Sequence, residues 1–92
     1  MNKKELVEAV ADRADTTQKQ TNAVFDALIE VITKAVARGE KVTIVGFGTF
    51  EKRDRKAREG RNPKTGQSLQ IPATLVPVFT PGKTFKEAVN ND

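Results

Sequence analysis

The sequence predicts an α+β fold: two N-terminal helices, a three-stranded antiparallel sheet with a long β-ribbon arm, and a short C-terminal helix. Three observations predict it. Apolar residues recur at helical spacing as far as Arg38, the period changes to two from Lys41, and a basic stretch dense in turn formers separates the second strand from the third. At 92 residues the chain makes one small domain, against roughly 100–150 residues for a typical one. Apolar residues make up 37% of it and ten of them are alanine, so few large side chains remain to close a core.

Each element has a local reason. Asn2 and Glu5 have the spacing of a helix cap with a reciprocal partner, and Leu6, Ala9, Val10 and Ala14 follow at helical spacing. Thr17 and Gln20 repeat the cap, and Val24, Phe25, Leu28, Ile29, Val31, Ile32, Ala35 and Val36 carry a second helix to a stop at Gly39. Its apolar residues cover more than one stripe, so it needs neighbours on more than one side. Dimerisation is the simplest way to supply them. Val42 and Ile44 alternate with Thr43 and Val45, Gly46-Phe47-Gly48 reads as a tight turn with Phe47 folded into the core, and the next strand starts at Thr49. Beyond Phe50 both faces are polar, with Arg53 and Arg55 on one and Lys52, Lys56 and Arg58 on the other. Such a ribbon cannot pack on a core, so it leaves the body and is mobile until a partner orders it. Gly60-Arg61-Asn62-Pro63-Lys64-Thr65-Gly66 is the predicted tip and Ser68-Leu69-Gln70-Ile71 the return, with Pro72 and Pro77 confined to an edge or a bulge. Val76, Val78 and Phe79 rejoin the body, and Thr80-Pro81-Gly82 leads into the last helix.

Charge is concentrated in that arm. The formal net charge is only +4. Between Lys52 and Lys64, however, seven cations stand against Asp54 and Glu59, and from Thr65 through Gly82 there is no charge at all. A polyanion is the partner such a segment suits. Arginine-lined ribbons fit a minor groove, whose negative potential attracts guanidinium groups, and Pro63 would bring a rigid apolar ring to the tip as a wedge between base steps.

Other chemistries are poorly supported. Cysteine and histidine are both absent, which removes disulfides, thiolate zinc sites and the commonest general base, so the chain does not read as an enzyme and no metal or cofactor is expected. Gly82-Lys83-Thr84 resembles the end of a P-loop, but the first glycine of that motif would fall at Pro77. Gly46-Phe47-Gly48 fails as a dinucleotide fingerprint because the third glycine would fall at Glu51. Glu5, Glu8, Asp12 and Asp15 read as a solvated helix edge, and the five phenylalanines as core. Neither a secretory leader nor a membrane span is expected, which makes this a soluble cytoplasmic chain with no membrane or small-molecule partner.

At these residues the chain resembles the bacterial HU/IHF family of histone-like, DNA-bending nucleoid proteins, most nearly its HU branch. The resemblance covers the whole sequence and rests on Gly46-Phe47-Gly48-Thr49-Phe50, on Arg53, Arg55, Arg58 and Gly60 through Gly66, and on Ile71-Pro72-Ala73 and Val76-Pro77-Val78-Phe79. It implies an intertwined dimer with a helical base at about residues 1–40, a β saddle and arm at 41–80, the arm itself at 53–76, and a closing helix at 82–90. It further implies Pro63 as the intercalating residue, and Arg53, Arg55, Lys56, Arg58, Arg61, Asn62 and Lys64 as arm contacts to DNA. Lys3, Lys83 and Lys86 would be flanking phosphate contacts, and Phe25, Leu28, Ile32, Val36, Phe47, Phe50 and Phe79 the dimer core. The implied partner is double-stranded DNA, with bent, nicked or flexible sites preferred, condensed in the nucleoid. In this family the return side of the arm usually carries a basic residue or two, whereas Gln67, Ser68, Gln70 and Leu75 are uncharged here. Alternatives are an IHF-like sequence-specific subunit, an RNA-binding protein using the same arm, and a scaffold for acidic proteins.

Overall fold

The computed structural model describes residues 1–91. The element order is α1 (Lys3–Ala14), α2 (Gln18–Ala37), β1 (Val42–Ile44), β2 (Gly48–Arg55), β3 (Arg58–Arg61), β4 (Ser68–Ile71), β5 (Thr74–Pro81) and α3 (Lys83–Asn90). Two compact units divide the chain, Met1–Lys34 and Ala35–Asp92.

In the first unit, the Asn2 side chain accepts from the Glu5 N–H at 2.9 Å and starts α1. Asp15 ends it in the left-handed region at φ 55°, where the Asp15 N–H donates to Asp12 and the Thr16 N–H to Ala11. Asp15 is therefore a helix terminator rather than part of an acidic helix edge. Thr17 caps α2 by accepting from the Gln20 N–H at 3.0 Å. The predicted reciprocal bond is not made, because the Gln20 side-chain oxygen accepts from the Thr16 hydroxyl at 2.9 Å instead. Lys3 of α1 is salt-bridged to Asp26 of α2 at 2.5 Å. Val7, Ala11 and Thr21 are buried, while Leu28 is 47%, Val31 65% and Val24 68% exposed. An apolar helix face this open is of the kind that marks an interaction surface.

In the second unit α2 stops at Gly39 as expected: at φ +93° it lets the Gly39 N–H donate to Val36 and the Glu40 N–H to Ala35. A turn closed by the Phe47 N–H on the Ile44 carbonyl at 2.9 Å joins β1 to β2, which starts at Gly48, one residue earlier than predicted. The sheet order is β1-β2-β5, all antiparallel. β5 is paired on one side only, an edge position of the kind that tolerates Pro77 and Pro81. Gly48 is buried under the Phe79 ring: a Cβ there would lie 2.5 Å from the ring and 2.6 Å from the Thr80 carbonyl oxygen. Phe47, Phe50, Phe79 and Phe85 form one aromatic cluster, in which Phe47 stacks on Phe85 at 5.2 Å and Phe50 meets Phe79 across the strands at 4.8 Å. The Gly82 N–H donates to the Phe47 carbonyl at 2.8 Å and so fixes the start of α3 beneath the cluster. Phe47 is 43% exposed on the lone chain.

The three predicted strands are five segments in two sheets. β2 and β5 pair from Gly48↔Pro81 to Arg55↔Thr74, and β3 and β4 from Arg58↔Ile71 to Arg61↔Ser68. Only Lys56-Ala57 and Pro72-Ala73 lie between, equal in number on the two sides, so the register passes through unchanged. The ladder opens where Pro72 brings no N–H to it. Gly60 and Arg61 belong to β3 rather than to the tip. The tip itself closes by the Asn62 N–H on the Gln67 carbonyl at 2.8 Å and the Gly66 N–H on the Asn62 carbonyl at 2.7 Å, with Gly66 at φ +71°.

Candidate nucleic-acid interface

The ribbon delivers its cations in chain order. From Lys52 through Leu75 every residue is exposed except Gly60, Asn62 and Ile71, which are half-buried. Arg55 ends β2, Lys56 sits at the ladder break, and Arg58 and Arg61 bound β3. At the break, Arg55, Lys56 and Arg58 line a recess of about 480 Å³ with Ile71, Pro72 and Thr74 across the ribbon. Among the described residues, no salt bridge reaches Arg55, Lys56, Arg58, Arg61 or Lys64. Their charge is available to a ligand.

Asn62, Pro63 and Lys64 form the leading edge. The Asn62 side-chain oxygen accepts from the Lys64 N–H at 2.9 Å, and the Thr65 hydroxyl accepts from the Gln67 N–H at 3.3 Å. Asn62 thus shapes the turn with one side-chain atom and keeps its amide donors for other partners. Pro63, exposed, follows it directly.

The remaining predicted contacts stand differently. Arg53 Nε donates to Glu51 Oε1 at 2.5 Å, and Lys41 Nζ lies 3.5 Å from the other Glu51 oxygen. Glu51 is pulled below its ordinary value, first by the Arg53 hydrogen bond and then by the charges of Arg53 and Lys41, against an opposing effect of desolvation. Arg53 is therefore already engaged. Lys3 is held by Asp26, while Lys83 only approaches Glu87 at 3.9 Å one helical turn on; Lys86 has no ion pair among the described residues.

Two features escaped sequence reasoning. Glu51 could have been found, because residues two apart on a strand share a face. Lys4 and Lys19 join Lys3 around a recess of about 480 Å³ between α1 and α2, and no local pattern links residues on separate helices. No described helix is long and apolar enough to cross a membrane.

The family described as bacterial DNA-binding protein matches residues 1–90. The chain belongs to this family, that of HU and IHF. Among its members, the DNA-binding protein HU of a Nostoc species is 61% identical over 97% of this chain and 95% of its own length. The DNA-binding protein HU of a Synechocystis species is 57% identical over the same shares. The HU of an Anabaena HU-DNA cocrystal structure matches at a TM-score of 0.90 with 59% identity over 100% of both chains. The HU fold predicted from the sequence is thus the fold of this chain.

Proposed function

We propose that this chain is a histone-like protein that binds double-stranded DNA largely without regard to sequence, bends it through the minor groove and compacts the nucleoid. The observation that carries the reading is the unbroken register from Gly48 to the tip, which brings Arg55, Lys56, Arg58 and Arg61, without ion pairs among the described residues, up to Pro63 and Lys64. In this reading Arg55, Lys56, Arg58, Arg61 and Lys64 neutralise phosphates and line the groove, Asn62 shapes the tip and Pro63 wedges between base steps. Arg53, Lys3, Lys83 and Lys86 extend the contact once DNA competes for their present carboxylates or approaches their exposed ends. The likeness to an HU taken from an HU-DNA cocrystal supports the same reading.

The acting unit is a homodimer. Among the described residues, the lone chain buries only Val7, Ala11, Ala35 and Val36 of its apolar side chains, and no large side chain is fully enclosed. Phe25, Leu28, Ile32, Phe47, Phe50 and Phe79 are the apolar surface a second copy would cover. Val36, only 8% exposed, is already enclosed by its own chain and adds little. A role in the nucleoid, and so in the cytoplasm, follows from DNA as ligand.

Fluorescence anisotropy on two labelled duplexes of equal length, one intact and one nicked at its centre, tests the proposal. Both should bind at near-physiological salt, the nicked one more tightly, because a nick removes part of the bending cost. Equal affinity for the two would remove bending from the reading, and no binding to either would remove DNA.

A further inference from the structure

The two strands of the ribbon differ in net charge, the outbound one setting its cations against only Asp54 and Glu59. The outbound strand carries Arg53, Arg55, Lys56, Arg58 and Arg61, whereas the return strand is uncharged from Thr65 through Gly82. On that return strand Leu69 is 46% and Leu75 60% exposed, and the cationic recess at the ladder break has Arg55, Lys56 and Arg58 on one side and only Ile71, Pro72 and Thr74 on the other. Paired strands lie about 4.8 Å apart, and a minor groove is about 6 Å wide between walls that each belong to one DNA strand. A ribbon lying along the groove therefore turns one of its strands to each wall. Phosphates rim both walls, but the walls themselves are deoxyribose, whose carbon-bound hydrogens offer an apolar surface.

We propose that each arm grips the duplex asymmetrically: the outbound strand holds the phosphates of one DNA strand by charge, and the return strand packs Leu69 and Leu75 against the deoxyribose wall of the other. This rests on the minor-groove reading above and deepens it by assigning separate chemistry to the two edges of the arm. Leu69 and Leu75 become affinity residues that act without charge. Their contribution is independent of salt, since no counterion is released where no phosphate is neutralised.

Phosphate-ethylation interference on the centrally nicked duplex, with the full-length wild-type chain, tests the asymmetry directly. Within each arm's footprint, modification of one strand should interfere and modification of the other should not; equal interference on both strands would overturn the proposal. Retention of unmodified duplex in the same experiment reports binding itself, which separates this failure from failure of the DNA-binding reading. The double change Leu69→Ser with Leu75→Ser should weaken binding about tenfold through lost apolar burial and leave the slope of log affinity against log salt unchanged. Leu69→Lys and Leu75→Lys, at sites already open to solvent, should each bring interference to the silent strand and steepen that slope by about 0.9. Full affinity in the serine variant would remove the apolar contact, and an unchanged slope in the lysine variants would place that edge away from any backbone.

Discussion

Glu51 and Arg53 lie two residues apart on β2, and the Glu51 carboxylate takes the Arg53 Nε at 2.5 Å. The pair stands where the ribbon leaves the sheet, and Lys41 of the loop before β1 closes on the same carboxylate at 3.5 Å. Arg53 is thereby oriented at the root of the arm, but its charge is partly spent within the protein.

Stability should respond to acid through Glu51. Its folded-state value is lowered, chiefly by the Arg53 hydrogen bond, so the ionised form stabilises the fold above the ordinary 4.5. That contribution is lost as pH falls through the lowered folded value. The melting temperatures of the parent and of Glu51→Gln should differ at neutral pH and converge as pH drops below 4.5. A gap that stays constant through that range would show that the carboxylate charge is irrelevant.

Arginines of the arm should not be equivalent. Arg55→Ala or Arg58→Ala should flatten the salt dependence of DNA affinity by about 0.9 per lost phosphate contact. Arg53→Ala should flatten it less, because Glu51 already neutralises part of that charge. Titrations of the three variants at several salt concentrations decide this, and equal slopes for all three would contradict the engaged state of Arg53.

Pro63→Ala separates bending from attachment. Energy transfer between the ends of a labelled duplex should report a smaller bend, while affinity at low salt changes little, since the cations behind the tip are untouched. Parallel loss of both signals would argue against the wedge.

Gly48→Ala should destabilise the fold by about 1–3 kcal/mol, the usual cost of over-packing. The added methyl group meets the Phe79 ring and the rigid Thr80 carbonyl at the same time. The midpoint of urea unfolding measures the loss, and a midpoint equal to the parent's would mean that the ring can move aside.

Leu28→Asp tests the second copy. On a lone chain, a change at a half-exposed helix position typically stays within about 0.5 kcal/mol. Across a dimer interface it leaves a charge unpaired among apolar groups and should unfold the protein or leave it monomeric. Sedimentation, together with the concentration dependence of the parent's melting temperature, reads the outcome. A parent whose melting temperature ignores concentration would point to a stable monomer.

How much of this was legible in the sequence depends on the range of the interaction. The caps at Asn2 and Thr17, the stop at Gly39 and the turn before Gly48 involve neighbours a few residues apart, and all formed, although the Thr17 cap lacks its predicted reciprocal bond. The return strand Ser68–Ile71 was legible because alternating polar and apolar residues followed a segment dense in turn formers. The ladder break was only half legible. Pro72 announced a defect in the return strand, but its effect on Lys56 and Ala57 needs the register that sets the two strands side by side.

Sequence alone determined the order of elements, the concentration of charge in one segment, the neutrality of the segment after it and the excess of apolar residues on the second helix. These are properties of composition and spacing, and any fold built from this chain inherits them. Tertiary structure decided that Phe79 lies over Gly48, that Glu51 takes Arg53, that Lys3 answers to Asp26, and that Phe47 stacks on Phe85. Each of these is a choice among partners that the sequence offers in several versions. A charge or an aromatic ring declares what it can bind, but which group stands within a few ångströms of it is set only when strands and helices have taken their register.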